Sequence, residues 1–273
     1  MTHASHRSVR IGVQLAPQHA DYSAIRSAVA EVEALGADVV FNWDHFYPLS
    51  GDPAGNHFEG WSMLAAWAEQ TSTIEFGALV TCNSYRNPDL LADMARTVDH
   101  ISAKTPGSSG RLVFGIGSGW FERDYDEYGY DFGTVGGRLD SLAEALPRIE
   151  GRWGKLKPQP TRKIPVLIGG GGEKKTLRMV ATHADIWHSF SDVPTLERKM
   201  GILAEHAAVV GRDLGEIEVS TGVNLVAGSL PEDTLEAQYE LGTRLFTIGL
   251  TGPDYELGAV RDLLAWRDSV NSR

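Results

Sequence analysis

Cysteine is nearly absent from this 273-residue chain: Cys82 stands alone, so no intrachain disulfide can form, and the composition suits a reducing compartment. Long apolar runs are missing too. Nothing approaches the ~20 residues of a bilayer span, and residues 1–8 are polar, without the apolar stretch of a secretory leader. The expectation is a soluble cytoplasmic protein with no membrane partner, residues 1–8 forming a disordered tail. Positive charge is in deficit. Lys and Arg number 25 against 36 Asp and Glu, and the net charge of −11 argues against nonspecific nucleic-acid binding. The Gly-x-Ser-x-Gly elbow of serine hydrolases is not found. His57, His100, His183 and His188 lack the spacing of metal ligands, so no metal is expected, and each reads as a surface or core histidine.

What is present is a steady alternation of strand and helix signals, with a 42% apolar content ample for a large core. Residues 9–15 read as a strand. Asp21 caps a helix whose Ile25, Ala28, Val29, Val32 and Leu35 repeat at three- and four-residue spacing, and Gly36 ends it as a left-handed C′ residue. Further strands are read at 39–45, 74–81, 111–117, 165–168, 184–190, 216–223 and 243–250. Helices are read around 61–68, from the cap pair Asn87-Pro88 to Ile101, and at 138–152, 174–182, 195–210, 232–241 and 255–270. Pro147 is expected to kink or break the helix that holds it. About eight strand–helix units without a low-complexity linker are the arithmetic of an α/β, (β/α)8 TIM barrel, one domain over residues 1–273. A doubly wound open sheet is the main rival.

Chemistry concentrates where strands end. The apolar run at 39–45 empties into Asp44 and His45 with no turn residue between, which puts both side chains at a strand's mouth. Its bland alternative is an Asp that merely fixes a core His. The Gly- and Pro-rich loop at 46–59 and a second long loop at 118–137 are long enough to be functional. A strand then runs into Gly169, Gly170, Gly171 and Gly172, followed at once by helix signals with Lys174, Lys175 and Arg178. Backbone N–H groups, a helix N-terminus and local cations suit a phosphate there. A second cluster, Gly115, Gly117, Ser118 and Gly119, leaves room for a flat ring against the backbone, or marks a barrel bend.

Together, Asn-Trp-Asp-His at 42–45, Phe-Gly-Ala-Leu-Val-Thr at 76–81 with Tyr-Arg-Asn-Pro at 85–88, the Gly-Arg-Leu-Val-Phe-Gly-Ile-Gly-Ser-Gly-Trp-Phe-Glu run at 110–122 and Ile-Gly-Gly-Gly-Gly-Glu-Lys-Lys-Thr-Leu at 168–177 resemble the luciferase-like monooxygenase superfamily. The branch they are most similar to is that of oxidoreductases dependent on the deazaflavin coenzyme F-420. The resemblance covers residues 9–193 and is weaker beyond. It implies a bacterial luciferase-like TIM barrel, usually dimeric, with the deazaflavin ring in the barrel mouth and hydride transfer to or from a small organic substrate.

Residue by residue, it implies that Asp44 contacts the ring and that His45 exchanges a proton with substrate, a role suited to an imidazole. Leu79-Val80 matches a place where the family often carries a cis peptide that backs the ring. Thr81, Cys82, Gly117, Ser118 and Gly119 would flank it, Cys82 as wall rather than nucleophile; Gly169 to Gly172 with Lys174 would hold the phosphate. Trp43, Leu49, Trp120 and Phe121 are the expected substrate wall, although Trp43, like Trp61 and Trp67, also reads as core. Glu122, Tyr125 and Tyr128 read either as polar contacts of that lid or as a solvated loop face. The family's sugar-phosphate dehydrogenases carry an acid where Trp120 stands and an aromatic residue where Leu49 stands, so the expected substrate is more apolar. The alternatives are an FMN-dependent monooxygenase and a non-catalytic barrel that binds a flavin-like ligand.

Overall fold

Strands with apolar residues on both faces, separated by amphipathic helices, bury themselves only as a parallel sheet covered by crossovers. The computed structural model describes residues 7–273; of the expected tail, residues 1–6 lie outside the described residues, while Arg7 and Ser8 are exposed. In chain order come β1 (Arg10–Leu15), α1 (Tyr22–Ala34), β2 (Val39–Asn42), α2 (Gly60–Gln70), β3 (Glu75–Ala78), β4 (Thr81–Cys82), α3 (Pro88–Ser102) and β5 (Leu112–Gly117). Next are α4 (Glu122–Tyr128), α5 (Val135–Lys155), β6 (Val166–Gly169), α6 (Thr176–His183), β7 (Ile186–Ser189) and α7 (Val193–Val209). The chain closes with β8 (Glu218–Val223), α8 (Glu232–Glu240), β9 (Thr243–Leu250) and α9 (Gly258–Asn271).

Every strand pairing is parallel, in the order β3-β2-β1-β9-β8-β7-β6-β5-β4. The extra pairing of β3 with β5, Gly77 opposite Val113, closes the sheet into the (β/α)8 barrel and excludes the open sheet. β3 and β4 share one barrel position. The sequence reads 74–81 as one strand, but the Leu79–Val80 peptide is cis and interrupts it, as the family resemblance implies. Inside the barrel Val39, Phe41, Val113, Leu167, Ile186 and Leu245 pack into one cluster, while Val13, Val40, Phe114 and Ile168 face the helices.

Local chemistry explains the boundaries. Asn87 accepts the N–H groups of Asp89 (2.9 Å) and Leu90 (3.4 Å) with Pro88 opening α3, and Gly36 ends α1 at φ +81°. Asp21 occupies the cap position of α1, but its side chain makes no capping bond. Three expectations fail. α5 starts at Val135, behind a Thr134 cap on Gly137 N–H, and runs unbroken past Pro147. Residues 122–128, read as loop, form a helix too short and too charged to show an apolar period. Residues 174 and 175 precede α6 instead of opening it.

The two ends of the barrel differ in kind. Below, Arg10 bridges Glu75 (2.7 Å) and Glu218 (3.1 Å), and Arg162 joins Glu75 (2.8 Å), a charge cluster that plugs the amino ends of the strands. Above, the carboxyl ends open into a cavity. Among the described residues no helix is long and apolar enough to cross a membrane.

Candidate active site

Asp44 and His45 lie just past the end of β2 and both line the upper cavity, of about 440 Å³, within the range of small-molecule sites. They do not pair with each other. Asp44 is buried and takes a two-point contact from Arg86, Nη1 to Oδ2 at 2.6 Å and Nη2 to Oδ1 at 2.9 Å. The Cys82 N–H donates to Oδ2 at 3.0 Å, and Arg86 also reaches Glu59 (2.6 Å). Burial raises the Asp44 carboxyl above its usual range even with Arg86 and the Cys82 N–H drawing it back. Burial alone would lower the Arg86 guanidinium, but Asp44 and Glu59 offset that and hold it firmly charged. Asp44 thus fastens the segment after the cis peptide to the end of β2.

His45 is held by a residue that sequence reasoning missed. Its Nδ1 lies 2.8 Å from Oδ2 of Asp124, on α4, whose side chain is 0% exposed. The same carboxylate accepts the Tyr85 hydroxyl (3.0 Å) and the Phe46 N–H (3.2 Å). Burial, joined by the charge of Asp124, pushes the Tyr85 hydroxyl far up, so it stays a donor. The imidazole stands edge-on to three rings, Phe121 (5.4 Å), Trp120 (5.5 Å) and Trp43 (6.2 Å). Of the expected substrate wall only Trp120 lines the cavity, and it is 63% exposed. Phe121 and Trp43 stand behind His45, Trp43 tied by its Nε1–H to His57 (3.0 Å). Leu49 is held at Gln18 by its N–H (2.8 Å), away from the cavity. In the second loop Tyr125 is buried, its hydroxyl 3.3 Å from Cys82 Sγ, Tyr128 stacks on Phe46 (4.1 Å), and Glu122 is exposed.

Leu79, Val80, Thr81, Cys82, Gly117, Ser118, Gly119, Gly169, Gly170 and Gly171 all line the cavity. The two glycine clusters converge because β5 and β6 are neighbours, and Val80 explains part of their composition. A Cβ on Gly117 would sit 2.8 Å from Val80 Cγ2, and one on Gly169 2.9 Å from Val80 Cγ1. Those glycines admit the Val80 side chain, which forms the floor, while Gln14 Nε2–H fixes the Leu79 carbonyl (2.9 Å). Gly119, at φ +82°, leaves room for the Tyr125 hydroxyl and Cys82 Sγ. Burial raises the Cys82 thiol, which fits a wall residue and not a nucleophile. Thr81 Oγ1 is buried with no hydrogen-bond partner among the described residues.

Gly172 and Lys174 do not line the cavity. The turn from Gly170 to Lys175 carries Lys174 out into solvent, and Lys175 pairs with Asp140 (2.5 Å). The cation at the glycines is Lys199 of α7, whose Nζ a Cβ on Gly171 would strike; it makes no ion pair among the described residues. Also missed were His188, Ser189 and Phe190. His188, read as surface or core, is 2% exposed and lines the cavity, two residues beyond the inward-facing Ile186, so counting by two along 184–190 was the available signal. Burial lowers its imidazole to about 3. A larger hollow of about 620 Å³ lies on the outer surface between Trp153 and Arg212. It is edged by the pairs Lys163–Asp185 and His183–Glu150 and collects none of the strands' carboxyl ends.

The model of the luciferase-like monooxygenase family matches residues 4–264. Among curated proteins the chain is 26% identical over 220 residues to the F-420-dependent hydroxymycolic acid dehydrogenase of Mycobacterium tuberculosis, an alignment covering 74% of this chain and 59% of the relative. The matched segment spans only 57% to 59% of the length of such relatives. Among solved structures, an F-420-dependent secondary alcohol dehydrogenase with an F-420–acetone adduct superposes with TM-score 0.77 at 17% identity, covering 94% of this chain and 98% of that one. The FMN complex of the oxygenating constituent of 3,6-diketocamphane monooxygenase from Pseudomonas putida gives 0.62 at 19% identity, covering 80% and 68%. At these identities the structures share the fold.

Proposed function

The chain belongs to the luciferase-like monooxygenase family, and from that premise we propose that it transfers a hydride between coenzyme F-420 and a small, apolar organic substrate. One observation carries the reading: a single cavity joins an imidazole oriented by a buried carboxylate to a Val80-floored slot and a glycine turn flanked by Lys199, which makes no close ion pair among the described residues. These residues fit a flat ring with a phosphorylated tail. Thr81 Oγ1, buried and unpartnered, is left for a ring atom, and Lys199 beside Gly171 is left for the phosphate. The deazaflavin, when bound, supplies two-electron hydride chemistry, because carbon stands where flavin has its oxygen-reactive nitrogen.

The chain's own residues do the rest. Asp124 holds Nδ1 of His45, which leaves Nε2 to give or take the proton at the substrate oxygen. Asp44 and Arg86 fasten the floor segment, and Trp120 and the ring of Phe190 line the rim and exclude water. F-420 is preferred to FMN because the curated relative with the longest match cited above carries F-420 in its name. The FMN-dependent monooxygenase is the second reading, supported by the likeness to the FMN-bound barrel. Equilibrium titrations with F-420 and with FMN decide between them, followed by anaerobic turnover of reduced F-420 on a panel of ketones, alcohols and alkenes. Tight binding of FMN alone, with oxygen consumption, would replace the first reading by the second. Binding of F-420 with no turnover would leave the non-catalytic reading, whereas equal rates in wild type and H45A would remove His45 from the mechanism.

A further inference from the structure

His188 shares the cavity with His45 but stands at the other end of it, beside the glycine turn. It is the register partner of Gly169 across β6 and β7, and its carbonyl accepts the Gly170 N–H at 3.0 Å. The ring is anchored from behind by Ser220 Oγ, 2.8 Å from Nδ1. Nε2 is buried and has no hydrogen-bond partner among the described residues. Phe190 stands edge-on to the imidazole at 4.7 Å, on a seat that Gly222 provides: a Cβ there would lie 2.7 Å from the Phe190 ring. Phe190 itself is 75% exposed and lines the same cavity as His188. A buried polar atom without a partner is destabilising, and one on a residue that lines a cavity gains if a ligand supplies the missing hydrogen bond.

We propose that His188 Nε2 hydrogen-bonds a hydroxyl of the polyhydroxy chain that links the deazaflavin ring to its phosphate. The inference rests on the F-420 reading above. If the turn at 169–171 and Lys199 take the phosphate, the group one step inward along β7 reaches the chain next to it. His188 is then a binding residue that sets affinity for the coenzyme, and takes no part in proton transfer to substrate.

The test uses the full chain and two substitutions. H188N keeps a polar atom near the Nδ1 position for Ser220 and loses Nε2, whereas H188Q reaches the Nε2 position. Titration with F-420 is expected to show a dissociation constant about 5- to 10-fold weaker for H188N, the scale of one neutral hydrogen bond, and within about twofold of wild type for H188Q. A ring-only deazaflavin fragment is expected to bind wild type and H188N alike. Equal affinity of wild type and H188N overturns the inference, as does equal weakening in both variants or discrimination by the ring-only fragment. If H188N melts below wild type, the test moves to the ligand, and an analogue deoxygenated in the chain that binds wild type as tightly as F-420 overturns it. Wild type that binds neither F-420 nor FMN refutes the functional reading itself, a different outcome.

Discussion

Two imidazoles face one cavity, and their partners differ. His45 has a buried carboxylate at 2.8 Å, itself fixed by Tyr85 and Phe46; His188 has a serine hydroxyl at the same distance. A carboxylate can balance positive charge on the ring through a proton-transfer step, whereas a hydroxyl cannot, and burial then keeps the ring neutral. On the proposed reading, the contrast separates the two ends of the site: proton handling under Trp120 and coenzyme anchoring under Phe190. It also shows that residue type alone says little, since both are histidines at the ends of strands.

The comparison breaks most visibly at His45. H45A is expected to lower turnover about 10³-fold while coenzyme affinity changes by less than about threefold, measured by steady-state kinetics and titration. R86M tests the other carboxylate at this end of the cavity. It leaves Asp44 buried beside an apolar group, and chemical denaturation should report about 3–5 kcal/mol lost, because the unpaired charge is not resolvated. D124N retains the shape of the carboxylate but not its charge, so turnover should fall about 10²-fold with KM nearly constant. An equal loss in a matched S220A variant would erase the distinction between the two histidines.

The pH dependence of stability sharpens the comparison further. His188 is held neutral, with its folded value lowered to about 3, while the unfolded chain takes up that proton near its ordinary value. Between those limits the unfolded state binds more protons, so the contribution is complete above about pH 6.5 and is lost as pH falls, on the order of 2 kcal/mol by pH 5. His57, lowered to about 4, chiefly by burial, acts in the same direction. Melting curves from pH 7.5 to 5 should fall more steeply for wild type than for H188N. The smallest effect is expected at Trp120: W120A should raise KM for apolar substrates a few-fold with turnover little changed, since the exposed ring offers contact area rather than chemistry.

Much of the architecture was legible in the chain. Apolar strand runs alternating with period-3.6 helices pointed to the barrel, and Asn87-Pro88 and Gly36 marked boundaries that the structure keeps. Asp44, His45 and both glycine clusters were visible because they sit at the ends of strong strand signals. What escaped were partners supplied across space. Asp124 lies on a seven-residue helix inside a stretch read as loop, 79 residues from His45, and nothing local in it signals that role. Lys199 belongs to the next helix along, so a cation near the glycines in sequence, Lys174, was read in its place. Gly117 read as space for a ring and Gly169 as part of a phosphate turn, yet the space over both is filled by Val80, from the break between β3 and β4.

The order of strands and helices, the family pattern and the candidate end of the barrel follow from the chain itself, because burial of apolar residues at fixed periods is a local property of sequence. Which carboxylate holds which base, which lysine meets the glycine turn, and which imidazole stays neutral were decided only when β2, α4, β7 and α7 met at one rim. Those assignments depend on distances of about 3 Å between residues far apart in the chain, and electrostatic and hydrogen-bonding partners at that range are fixed by tertiary packing.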